Sequence, residues 1–196
     1  MGGECETNKK TLVSLVAITM VAMVLFGVCI GYVLTFHYRN ADLNIDVGTM
    51  SLHVTVYVQR VGEEPIFWSH HPGVLTTIGK NWIEDQLGDS PSTDPAKWIS
   101  LSTNTSTPSA AWTQIPTEIT TGGLARAAGT YTSTGDGVWT ISYQFTASAT
   151  HTAVQLTGLQ WAITPLDGNL LGADVFTSVT LNSGDKLTVT WTITVT

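Results

Sequence analysis

The stretch LTVTWTITVT, Leu187–Thr196, alternates without a slip. Leu187, Val189, Trp191, Ile193 and Val195 fall on one side, and Thr188, Thr190, Thr192, Thr194 and Thr196 on the other. A period of two puts one set on a core and the other in water, which is a half-buried β-strand. Working outward, Val138 to Ala147 repeats the pattern, with Trp139, Ile141, Tyr143, Phe145 and Ala147 on one side. Leu52, Val54, Val56 and Val58 alternate with His53, Thr55, Tyr57 and Gln59. Val61-Gly62-Glu63-Glu64-Pro65 then turns the chain into Ile66-Phe67-Trp68, a predicted hairpin. Trp98–Leu101 and Leu170–Leu181 read as further strands, with turn signals at Asp167-Gly168 and Ser183-Gly184-Asp185.

One strand changes parity. Val154 and Leu156 are apolar at even positions, whereas Leu159, Trp161 and Ile163 are apolar at odd ones. A one-residue slip would turn half the strand outward, so an extra residue must be absorbed, and Gly158 is the expected bulge. Between Thr77 and Leu87 the period becomes helical, with Ile78, Trp82, Ile83 and Leu87 on one face. Thr76 or Thr77 caps its start and Gly88 its end. Ser102 to Gly123 is rich in Thr, Ser, Pro and Ala, yet Trp112, Ile115 and Ile119 offer apolar anchors. It reads as an ordered crossover from one sheet to the other. The fold class that follows is mainly β: an antiparallel β-sandwich of about seven strands with one short helix.

Upstream lies a segment of another kind. Thr11 to Phe36, TLVSLVAITMVAMVLFGVCIGYVLTF, holds no charge and no proline over 26 residues. As a helix it reaches roughly 39 Å, more than the ~30 Å hydrocarbon core of a bilayer. Leu12, Leu15, Val24, Leu25, Phe26 and Leu34 are the expected membrane-anchor residues. The segment is too long for a cleaved secretory signal, and His37-Tyr38-Arg39-Asn40 is no small-residue cleavage site. It is read as an uncleaved signal-anchor, a single transmembrane helix. Lys9 and Lys10 before it outweigh Arg39 after it, so residues 1–10 form an internal tail and the C-terminal domain faces outside. Residues 37–48 are a stalk and 49–196 the exposed β-sandwich.

Charge narrows the partners. The chain has 8 Lys+Arg against 15 Asp+Glu, a net −7. Nucleic-acid binding asks for a basic stripe, so no nucleic-acid partner is expected. Both cysteines, Cys5 and Cys29, precede the β domain, which therefore has no disulfide.

Three blocks carry a resemblance. GVLTTIGKNWIEDQLG (Gly73–Gly88), EITTGGLARAAGTY (Glu118–Tyr131) and FTSVTLNSGDKLTVTWTITVT (Phe176–Thr196) are similar, in that order, to β-sandwich structural domains of phage, provirus and archaeal-virus virion surface proteins. The resemblance covers roughly residues 73–196. It implies a non-enzymatic structural protein, with further copies or other surface-assembly subunits as partners. Virion tail proteins of that kind generally lack a membrane anchor. The anchor here points instead to a subunit held in a viral or cellular membrane, so the lipid bilayer is itself a partner. A pilin-like filament subunit or adhesin of a prokaryotic cell surface is the alternative, since pilins also place a long apolar helix before a β domain. The basic-Gly processing site of pilins is missing, because Lys9-Lys10 runs straight into Thr11.

Chemistry-bearing motifs are sparse. Neither a Gly-x-Ser-x-Gly elbow nor a Gly-Lys-Thr phosphate loop occurs. His70 and His71 are adjacent, which on a strand points them to opposite faces. They share a metal only if Pro72 turns the chain and His53 or His151 approaches. Asp167-Gly168-Asn169 and Ser183-Gly184-Asp185 lack the remaining carboxylates of a calcium loop. No catalytic residue, metal or cofactor is expected. Of seven Trp, Trp82, Trp139, Trp161 and Trp191 fall on apolar faces and read as core. Trp68, Trp98 and Trp112 remain as surface candidates for a glycan, receptor or other partner. Asn104-Thr105-Ser106 is an acceptor pattern for glycosylation.

Overall fold

The structure, a computed structural model, describes residues 49–88, 94–165 and 168–196. The tail, the anchor with its six named residues, and the stalk lie outside the described residues, as does Asp167 of the expected hairpin turn. Among the described residues no helix is long and apolar enough to cross a membrane.

The described chain is mainly β. Its strands are β1 (Met50–Gln59), β2 (Ile66–Pro72), β3 (Val74–Leu75), β4 (Trp98–Ser102), β5 (Ala127–Ala128), β6 (Thr130–Gly135), β7 (Val138–Thr146), β8 (His151–Gln160), β9 (Leu170–Leu181) and β10 (Lys186–Val195). One helix, α1 (Thr77–Leu87), sits between β3 and β4. Two five-stranded sheets form, ordered β2-β1-β10-β7-β6 and β3-β9-β8-β4-β5, and every pairing is antiparallel. The architecture is β-sandwich-like, as expected.

Alternation built the first sheet. Leu187, Val189, Trp191 and Ile193 of β10 meet Val58, Val56, Val54 and Leu52 of β1 on one flank. On the other flank they meet Phe145, Tyr143, Ile141 and Trp139 of β7. Trp191 is fully enclosed at the centre of this cluster. The opposite face carries hydroxyls in register: Thr190 lies beside Thr55 and Ser142, with Ser142 Oγ and Thr190 Oγ1 2.8 Å apart. The β1–β2 hairpin forms as expected.

The second sheet departs from the sequence reading in three ways. First, residues 103–126 do not carry the chain between sheets. They leave β4 and return to β5, its neighbour in the same sheet. Among the described residues the chain changes sheet four times. It does so at Gly73 between β2 and β3, at Gly129 between β5 and β6, and in the turns between β7 and β8 and between β9 and β10. The Gly129 N–H bonds Lys97 O at 2.7 Å. Second, the long connection is ordered, as expected, but it folds over the outside of the second sheet. Ile115 is fully buried there with Leu156, Leu170 and Ala173, a second small core that Trp112 and Ile78 flank.

Third, the shift in β8 is not at Gly158. Register slips between Val154 and Leu156, opposite Val179 and Val175, and again between Leu159 and Gln160. Gly158 lies in regular pairing with Ser100 and Ala173. It is glycine for another reason: a Cβ there would sit 2.6 Å from Ile115 Cδ1. The parity change is nevertheless absorbed by a register shift, as expected. Val154 and Leu159, of opposite parity, both face the main core across the slip between Val154 and Leu156, while Leu156 faces the second core.

The cover is clamped electrostatically. Arg126 makes a paired contact with Glu118, Nε to Oε1 at 2.9 Å and Nη2 to Oε2 at 2.7 Å, with side chains only 3% and 2% exposed. Arg126 Nη1 also donates to Ala162 O and Thr164 O, both at 2.8 Å. Glu118–Tyr131 thus contains the clamp that holds the connection against the loop between β8 and β9. The turn before β10 is built likewise. Asp185 accepts from the N–H groups of Asn182 and Val61 and from Arg60. Burial works against its charge, but those three donors hold its carboxyl below the usual range.

Candidate functional site

The core does not fill the whole space between the sheets. At the end where β1 begins and β10 finishes, a cavity of about 340 Å³ remains. Met50, Ile193, Val195 and Trp139 line it from the first sheet, Leu159 and Leu171 from the second. The C-terminal half of α1 closes a side with Trp82, Ile83, Gln86 and Leu87, and Ala96 adds to the wall.

The helix is placed by its first turn. Thr76 caps it, as expected, its Oγ1 accepting from the Gly79 N–H at 2.9 Å and donating to Leu170 O. Thr76 N–H bonds Leu171 O at 3.0 Å. Gly79 lies directly on the Leu171 backbone, where any Cβ would collide, so the helix packs closely against β9. This start leaves the last turn beside the cavity. Leu87, expected on the apolar face, is 85% exposed at the rim, and Val195 is 46% exposed. Trp82 stacks on Trp161 with ring centroids 5.4 Å apart. Trp82 Nε1 and Gln86 Nε2 have no hydrogen-bond partner among the described residues. Among the described residues, none that lines the cavity carries a charge.

Of the four Trp read as core, only Trp191 is fully buried. Trp82, Trp139 and Trp161 are half-buried, and the first two line the cavity. The three surface candidates are half-buried too, and stand apart. Trp68 donates from Nε1 to Thr177 O at 2.6 Å, bridging β2 to β9. Trp98 lies under the Lys97 ammonium, 5.7 Å from its ring. Trp112 packs against the second core. Asn104 is half-buried, and its Oδ1 accepts from Ser106 N–H at 2.8 Å, a turn that shapes the acceptor tripeptide.

His53 does approach His70, stacking on it at 5.4 Å, and His70 Nδ1 is 2.8 Å from Thr55 Oγ1. Among the described residues no group of three or more His, Cys, Asp and Glu is placed to hold a metal ion. One buried carboxylate escaped the sequence reading. Asp174, in β9 opposite Thr157, has an Oδ2 without a partner among the described residues. Burial pushes its pKa up to about 7, and the Val175 N–H offsets only part of that.

At the opposite end of β1, Tyr57 and Phe67 meet edge to face at 5.9 Å, and Val61, Ile66 and Phe67 are exposed around the hairpin turn. The cavity was illegible in sequence because its walls come from seven separate segments, each apolar as a core would be. The one local signal was Leu87, an apolar residue in the last helical turn with no further turn to cover it. Comparison with family models, curated proteins and solved structures found no match.

Proposed function

We propose that this chain is a non-enzymatic structural subunit. The stretch 11–36 anchors it in a membrane, and its β-sandwich is displayed, with further copies, on the surface of a virion or provirus-encoded particle. The observation that supports display is the arrangement of the two ends of the sandwich. Thr196 N–H bonds Thr49 O at 3.1 Å, and the two hydroxyls lie 2.9 Å apart. The link to residues 1–48 therefore leaves from the end at which β10 finishes. The ten residues of β1 carry the chain about 33 Å along the sandwich, to a hairpin turn that bears exposed Val61, Ile66 and Phe67. One end is tethered and the other is free to touch a partner.

The test is flotation of the full chain with lipid vesicles, followed by external protease on intact particles. Co-flotation that is lost on removing residues 1–36, with cleavage from outside and stoichiometric presence in purified particles, is the expected result. A full chain that stays in solution without lipid overturns the reading. An intact mass lacking the leading residues, in a purified filament, would move it to the pilin-like alternative.

A further inference from the structure

We propose that the cavity at the residue-49 end is a binding site for one aliphatic chain of a membrane lipid. Its volume, about 340 Å³, falls in the range of small-ligand sites. The chemistry of the wall selects the ligand. Trp82, Ile83, Trp139, Leu159 and Leu171 make the wall mostly carbon, and no charged group lines the space among the described residues. A sugar or an anion would lose its whole water shell there and find only Trp82 Nε1 and Gln86 Nε2 as unpartnered donors among the described residues, too few to replace it. An aliphatic chain needs none, and its transfer from water is favourable.

The rim gives the direction of access. Leu87 and Val195 stand 85% and 46% exposed beside the opening, an unfavourable arrangement against water and a favourable one against lipid. Tether length gives the source. Between Phe36 and Thr49 lie 12 residues, which reach at most roughly 40 Å even when fully extended. If the stretch 11–36 lies in a bilayer, the tether keeps residue 49 within that reach of lipid, which raises the effective concentration of chains. The proposal rests on the anchor reading in that respect.

The experiment uses the full chain in phosphatidylcholine vesicles whose lipids carry a nitroxide either at the headgroup or deep in the acyl chain. All seven Trp lie in the β domain, so their fluorescence reports on it alone. Acyl-chain nitroxide should quench the emission more than headgroup nitroxide does. Trp139→Phe should lose part of that excess. Ala96→Phe, which narrows the cavity from a loop, should lose most of it while flotation stays unchanged. Equal quenching by the two lipids in a chain that floats overturns the site and leaves the anchor standing. A chain that does not float overturns the anchor and this proposal with it. Disulfide-linked dimers through Leu87→Cys, without excess quenching, would mean that a second copy fills the opening, and would overturn the proposal as well.

Discussion

The two sheets differ on their outer faces. The first turns a hydroxyl row to solvent, Thr188 to Thr194 with Ser142 and Thr140 beside it. The second hides its outer face beneath residues 103–126, with Ile115 seated on Gly158. The lesson is about where information resides. A sheet wetted on one side writes its orientation into a period of two, and a sheet covered on both sides does not. Its stability must then depend on the cover as well as on the main core.

Removing the clamp should produce the largest effect. Arg126→Ala leaves the Glu118 carboxylate buried without its cation, at a cost of about 3–5 kcal/mol, read as a lower urea midpoint by Trp fluorescence. Ile115→Ala removes the side chain on which the second core is built and should cost about 2–5 kcal/mol in the same measurement. Gly158→Ala attacks the same contact by overpacking and should cost about 1–3 kcal/mol. On the wetted face, Thr192→Ala should change stability by no more than about 0.5 kcal/mol. Equal losses from Ile115→Ala and Thr192→Ala would abolish the contrast between the faces.

Titration sharpens the picture further. Burial raises the Asp174 pKa to about 7 against an ordinary value of 3.8. The folded state therefore binds the proton more tightly than the unfolded chain does. This group's contribution is most favourable below about pH 4, falls as pH rises to about 7, and is level above that. Asp185 works in the opposite sense. Its depressed pKa stabilises above the ordinary carboxylate value and is lost as acid protonates it. Asp174→Asn should remove the decline between pH 4 and 7 in urea midpoints and leave the acid limb intact.

The same physics sets how much was legible. β1, β7 and β10 could be read residue by residue because each separates core from water. The helix was legible through Thr76 and the change of period, and Leu87 failed only because the cavity, not the core, lies next to it. β6 escaped notice since all six of its residues are exposed, so no alternation marks it. β3 and β5, of two residues each, are too short to carry any period. The parity change in β8 signals a real slip, but with both faces of the strand filled the pattern does not locate it, and it falls before Leu156 and not at Gly158. The clamp could not be foreseen either, since Glu118 and Arg126 gain meaning only when the loop folds back. Trp residues were sorted by alternation, which separates inside from outside but cannot tell a filled interior from a vacant one.

The β1–β10 pairing also has a mechanical consequence. These strands run antiparallel over ten matched positions, Met50 with Val195 through Gln59 with Lys186. A pull between residue 49 and the hairpin turn at the far tip acts along β1, at right angles to its ladder of hydrogen bonds. Both points of attachment are ends of this one extended strand, so the tension passes along its covalent backbone and the ladders on either side are not peeled open. A module tugged at its tip while its base is held would transmit that force through its stiffest direction.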